Sequence, residues 1–201
     1  MWTILASIDE SEAWTPTFHA GQKVMWKRNS NFDTPIQFKS TGKFDVRGNI
    51  MSLYSNNHAA ALTMNNSAAS LFANCKVVNA KNLVLPATTL SGGCYYGMFY
   101  GCTDLTTAPQ ILPSTTLAQE CYKAMFTGCT NLITSPKLPA TTLTYGCYEF
   151  MFQNCSSLTT APMLPATTLV DSCYKWMFDG CTNLAYIKAL FTTVPSTVYT
   201  D

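Results

Sequence analysis

Charge is scarce in this chain, with Asp, Glu, Lys and Arg making up 11% of 201 residues and a formal net charge of +1. Binding to nucleic acid needs clustered Lys and Arg to neutralise phosphates, so no nucleic-acid partner is expected. Histidine is scarcer still: the two, His19 and His58, are read as ordinary exposed or half-buried residues. No apolar run approaches the roughly 20 residues that a membrane-spanning helix requires, which leaves no membrane insertion. The opening Met1-Trp2-Thr3-Ile4-Leu5-Ala6-Ser7-Ile8-Asp9 lacks the positive start and long apolar centre of a secretory signal, so the signal is expected to have been removed or never needed. A nucleophile elbow, a phosphate loop and a metal motif are all missing. No catalytic residue, metal or cofactor is therefore expected. The carboxylates Asp104, Glu120, Glu149, Asp171 and Asp179 are read as solvated surface charge.

What the chain has is repetition. Cys94-Tyr95-x-x-Met98-Phe99-x-Gly101-Cys102 recurs as Cys121-Tyr122-x-x-Met125-Phe126-x-Gly128-Cys129, Cys147-Tyr148-x-x-Met151-Phe152-x-Asn154-Cys155 and Cys173-Tyr174-x-x-Met177-Phe178-x-Gly180-Cys181. The leading cysteines are 27, 26 and 26 residues apart. A worn copy, Ser67-Ala68-x-x-Leu71-Phe72-x-Asn74-Cys75, precedes them. A fixed period of this length is the signature of a stacked repeat architecture.

Within a copy the apolar residues fall at offsets 0, 1, 4, 5 and 8, which is read as one face of a two-turn helix. Gly or Asn before the second Cys supplies the left-handed residue that stops it. A Thr-rich phrase follows, read as brief parallel strands at 105–108, 132–135 and 158–161 that stack about 4.8 Å apart. Pro109, Pro136 and Pro162, which have no N–H, end each ladder. Thr106, Ile133, Thr159 and Ala185 then form one row of the ladder and Thr107, Thr134, Thr160 and Tyr186 the next, where threonines alone can stabilise the sheet.

All nine cysteines occupy two repeat positions: Cys94, Cys121, Cys147 and Cys173 in one column, and Cys75, Cys102, Cys129, Cys155 and Cys181 in the other. They are read as buried thiols that fit a tight coil, weighed against disulfides and metal. The eight-residue spacing within a copy does not suit zinc.

Residues 1–55 have another texture and no repeat. Alternation at 22–27 and 36–38, then 43–50, points to a small β-sheet that covers the first copy. The chain thus divides into a β-rich cap at 1–55 and a repeat array at 56–201, with 55–66 a polar turn leading into it. The last copy, followed by Thr192-Thr193-Val194-Pro195-Ser196-Thr197, is expected to be poorly covered.

The run Met-Phe-x-x-Cys-Thr-x-Leu, followed by Leu-Pro-Ala-Thr-Thr-Leu, resembles the BspA-like class of leucine-rich repeats, over roughly residues 62–190. That class is found in surface proteins of gut and oral bacteria and in proteins of their phages. The resemblance implies an α/β repeat fold: a right-handed solenoid of about five coils, each a short strand plus a short helix, behind a small N-terminal β-sheet cap. Against that pattern the chain is expected to be trimmed at both ends. It also implies a non-enzymatic adhesion module, extracellular or on the cell surface, engaging a host protein, glycan or matrix component. The alternative is a structural or decoration protein of a phage virion, with a homo-oligomer through the N-terminal β segment.

Binding residues are sought where copies differ on a fixed frame. Tyr96, Tyr100, Tyr145, Phe150 and Trp176 stand at such positions and are read as an outward strip for sugar or protein, since flat rings offer contact area at low entropic cost. The alternative is that Phe150 and Trp176 fold back onto a neighbouring coil. Lys123, at another variable position, is read as exposed, so its truncation should cost under about 0.5 kcal/mol.

Overall fold

The computed structural model describes residues 3–4, 24–25, 37–53 and 65–194. His19, His58, most of the 22–27 alternation, the 55–64 turn and residues 195–197 lie outside the described residues.

Strands are short and parallel. Strand β1 (Thr3–Ile4) pairs with β2 (Val24–Met25), β3 (Phe44–Asp45) with β5 (Val77–Asn79), and β4 (Gly48–Asn49) with β6 (Leu83–Val84). Phe44 lies opposite Val77, and Gly48 opposite Leu83. Instead of forming the expected separate sheet from residues 43–50, β3 and β4 lengthen the ladder of the worn copy. Further N–H groups of this segment reach the same copy, from Phe38 to the carbonyl of Leu71 and from Val46 to that of Asn79. A 3-10 helix, Ile50–Leu53, follows and buries Ile50 and Met51.

The ladder continues as single parallel bridges, Asn79 to Thr107, Thr107 to Thr134 and Thr134 to Thr160. The expected register is present for Thr107, Thr134 and Thr160, but the expected strands at 105–108, 132–135 and 158–161 shrink to one residue each. Two causes act together. Leu105, Leu132 and Leu158 spend their N–H groups on Cys102, Cys129 and Cys155 within their own copies, and the prolines beyond have none to give.

The other side of each copy corrects the expected two-turn helix. Residues 65–74, 92–101 and their equivalents are chains of linked β-turns. From the worn copy, the N–H groups of Asn66, Ala68, Ser70, Phe72 and Asn74 donate to the carbonyls of Gly92, Cys94, Tyr96, Met98 and Tyr100 in the next. The intervening Ala69, Leu71, Ala73 and Cys75 donate three residues back within the copy. Every second amide thus points along the stack, whereas an α-helix would turn all of them inward to residues four back. The same pattern joins each later pair of copies.

The backbone achieves this with a positive φ at every fourth residue: Gly93, Gly97 and Gly101; Glu120, Ala124 and Gly128; Gly146, Phe150 and Asn154; Ser172, Trp176 and Gly180. A period of four places offsets 0, 1, 4, 5 and 8 on one side as well as a helix would, which is why the buried set agrees. Cys, Tyr, Met, Phe and Cys are fully buried in the copies beginning at 94, 121 and 147.

Gly97 and Ala124 hold the same position in adjacent copies, with φ of +56° and +54°. A Cβ at Gly97 would meet only ordinary contacts, with Tyr100 Cβ at 3.5 Å and Ser70 Oγ at 3.6 Å, so backbone strain decides the outcome. Gly97→Ala is expected to destabilise by about 1–2 kcal/mol, the penalty of a left-handed L-residue. Ala124→Gly should relieve that penalty and offset its lost methyl, leaving stability within about 0.5 kcal/mol. Equal losses for both changes in urea melts would contradict the positive-φ assignment.

Side chains repeat with the backbone. Phenylalanines 38, 72, 99, 126, 152 and 178 form one stacked file with centroids 5.3 to 5.7 Å apart. Tyrosines 95, 122, 148 and 174 form a second, at 5.5 to 5.8 Å, ended by Phe191 against Tyr174. All nine thiols are free. The column of second cysteines also ties neighbouring copies together through hydrogen bonds. In it, Sγ of Cys102, Cys129, Cys155 and Cys181 donates to the carbonyls of Phe72, Phe99, Phe126 and Phe152 at 3.0–3.1 Å.

Burial raises these thiols, Cys94 and Cys102 to about 12 and half-exposed Cys181 to about 11. Thiolate is the reactive form. Iodoacetamide at about pH 8 should therefore modify Cys181 first and the other eight only after denaturation, as read by peptide mass mapping. Rapid labelling of all nine in the folded chain would contradict the packing.

Candidate binding surface

Tyr96, Tyr100 and Tyr145 face outward with 39%, 47% and 46% of their surface exposed. Tyr96 directly precedes Gly97, at a positive φ, and Tyr100 directly precedes Gly101, also at a positive φ, in one copy. Tyr145 precedes Gly146 two copies further on. Phe150 and Trp176 behave differently. Both are half-buried, at equivalent positions of adjacent copies, with ring centroids 5.0 Å apart, and Lys175 Nζ lies 4.3 Å from the Trp176 ring. The two rings cover each other, so the expected five-residue strip divides into three exposed tyrosines and one packed pair.

Beside them sits a charged network. Lys123 Nζ reaches Glu120 Oε1 at 2.9 Å and Glu149 Oε2 in the next copy at 3.0 Å. The Glu149 side chain is 8% exposed and that of Lys123 20%, so this is not the loose surface lysine expected. Burial works against the charge of Lys123, and the hydrogen bonds it donates to Glu120 and Glu149 more than offset it, holding its pKa above the usual 10.5. At the start of the stack Asp104 bridges Lys43 and Lys76 at 2.7 and 3.3 Å; the bond from Lys43 first, then that from Lys76, holds its carboxyl below the usual range.

Sequence reasoning passes over a third surface. Thr88-Thr89, Thr115-Thr116, Thr141-Thr142 and Thr167-Thr168 are exposed in four successive copies, with Thr116 and Thr142 in a parallel bridge. The signal is available in the chain: a phrase repeated unchanged where the side chains are not buried.

A shallow cavity of about 380 Å³ is lined by Lys81, Val84, Pro86, Gln110 and Ile111, among others. Lys81 is the one charged residue in its lining. Among the described residues no group of three or more His, Cys, Asp or Glu is placed to hold a metal, and no helix is long and apolar enough to cross a membrane. Comparison of the chain with family models, curated proteins and solved structures gave no match.

Proposed function

We propose that this chain is a right-handed leucine-rich-repeat solenoid of about five coils, of the BspA-like kind, working as a non-enzymatic binding module outside the cell. Its partner is a protein or glycan on a host or neighbouring surface. The observation that carries this reading is the outward display of Tyr96, Tyr100 and Tyr145 at positions that vary between copies of an otherwise fixed frame. Rings held by a rigid backbone lose little entropy on binding, and their mixed apolar and hydroxyl character suits sugars and protein surfaces alike.

The test is a glycan-array and host-protein screen of the purified chain beside a variant with all three tyrosines changed to Ala. Loss of binding by at least about tenfold in the variant, with unchanged circular dichroism, is expected, since aromatic anchors dominate such contacts. Equal binding by both would move the site to the threonine files. Binding by neither, with a discrete oligomer in solution, would move the function to a virion or scaffold role.

A further inference from the structure

The cavity of about 380 Å³ lies where two consecutive coils in the interior of the chain fail to pair. On one side of it Asn79 bridges Thr107, and Ala80 N–H donates to the Thr107 carbonyl at 2.9 Å. On the other, Ser114 Oγ donates to the Thr88 carbonyl at 2.9 Å. Between these two closures no backbone hydrogen bond joins residues 81–87 to residues 108–113. Four residues, 80–83, separate Asn79 from Val84, but three, 108–110, separate Thr107 from the equivalent Ile111. One unmatched residue is enough to interrupt a ladder.

Both arms turn backbone groups into the gap. Lys137 donates to the Gln110 carbonyl and accepts from Leu112, so the alternation of an extended chain points the N–H and C=O of Ile111 the other way, toward the worn copy. Asn82 accepts from Gly48 of β4, which by the same alternation turns Leu83 and Leu85 toward Ile111. The N–H groups of Leu85 and Ile111 have no hydrogen-bond partner among the described residues. Leu85 is buried, where backbone amides are nearly always paired. The side chains between the arms are apolar, with Val84, Pro86, Ile111 and Pro113 in the lining. Lys81 adds a charge and makes no ion pair among the described residues.

We infer that this gap is a docking slot for a short extended segment of another polypeptide, apolar at alternate residues and carrying an acidic side chain that meets Lys81. A strand laid between the arms offers carbonyls to the amides of Leu85 and Ile111 and seats small apolar side chains against Val84 and Pro113, the mode in which a peptide extends a sheet. Charge fixes the kind of segment, because the lining holds one cation and no carboxylate. The volume is at the lower end of the range for ligand pockets, so a few residues fill it. The slot lies on a different part of the coils from the tyrosine strip and does not depend on what that strip binds.

The probe is the acetylated and amidated peptide Val-Thr-Val-Asp, added to the full chain while amide exchange is followed at Leu85 and Ile111. Peptide in excess is expected to slow exchange at both amides by about tenfold or more, as for any amide closed by a bound partner. A Lys81→Glu chain, changed at an exposed position, should bind this peptide at least about tenfold more weakly and should prefer Val-Thr-Val-Lys instead. The same peptide with its backbone nitrogens methylated should give no protection. Unchanged exchange at both amides with the unmethylated peptide would overturn the proposal. Equal protection by octanoate would overturn the assignment of a strand and make the occupant any amphiphilic anion. Exchange at Ile111 as slow in the free chain as at bonded Leu112 would mean that the slot is already closed, and would also overturn it.

Discussion

Phe126→Ala is expected to lower unfolding stability by about 3–5 kcal/mol, the range for truncating a buried aromatic. The ring is fully buried in the middle of the phenylalanine file, 5.5 Å from Phe99 on one side and 5.5 Å from Phe152 on the other. Truncation removes apolar surface from the core and two ring contacts, each worth about 0.5–1.5 kcal/mol beyond area. The rigid cross-copy amide ladder on both sides leaves the cavity little freedom to collapse. Thr141→Ala, at an exposed position in the following phrase, should stay within about 0.5 kcal/mol. The comparison is made by urea melts followed by circular dichroism, and similar midpoints for the two variants would refute the placement of the ring.

The second large effect falls on Lys123, where the sequence suggests almost none. Lys123→Ala should cost about 1–2 kcal/mol, a charge-assisted hydrogen-bond loss discounted for partial exposure. Much of this arises from Glu149, whose nearly buried carboxylate would lose its cation in this cluster. The pH dependence follows from the raised folded pKa. A lysine that binds its proton more tightly when folded stabilises the fold fully below its usual 10.5, and loses that contribution as pH rises through the raised value. The wild-type advantage over Lys123→Ala should thus be constant near neutrality and shrink in strong alkali. An advantage that instead grew with alkaline pH would rule out the network.

These two residues show what is and is not legible in the chain. Phe126 and its equivalents can be placed in the core because burial follows offsets within one copy, and the turn segments align without gaps. The Thr107, Thr134, Thr160 register follows from the same alignment, whereas Asn79 opposite Thr107 is one residue off it. A helix is the wrong reading of the turn segments because offsets 0, 1, 4, 5 and 8 satisfy a period of 3.6 and a period of 4 equally over so short a span. The distinguishing signal is Gly93, Gly97 and Gly101, three glycines four apart in one copy, where the backbone needs positive φ. Glu120, Ala124, Phe150 and Trp176 hide it in the others.

Contacts between different copies are the least visible. Lys123 meets Glu149 across 26 residues of sequence, and Phe150 meets Trp176 in the same manner. Nothing local in either pair announces a partner. β3 and β4 read as a separate sheet for the same reason: their pairing partners lie beyond the turn, in a copy too worn to present its strand pattern.

The one-way ladder also has an electrostatic consequence over long range. A peptide group carries a dipole of about 3.5 D, and those that bond from one turn segment to the next point in a common direction, so their moments add as they do along a helix. The N–H groups that join turn segments all point toward the C-terminal side, so the positive pole lies there, the reverse of an α-helix. This axial dipole adds to the moment set by the charged side chains. In electric birefringence its contribution should favour alignment along the stack, and near an anionic surface it should favour turning the C-terminal side inward, with the tyrosine strip side-on to the solvent.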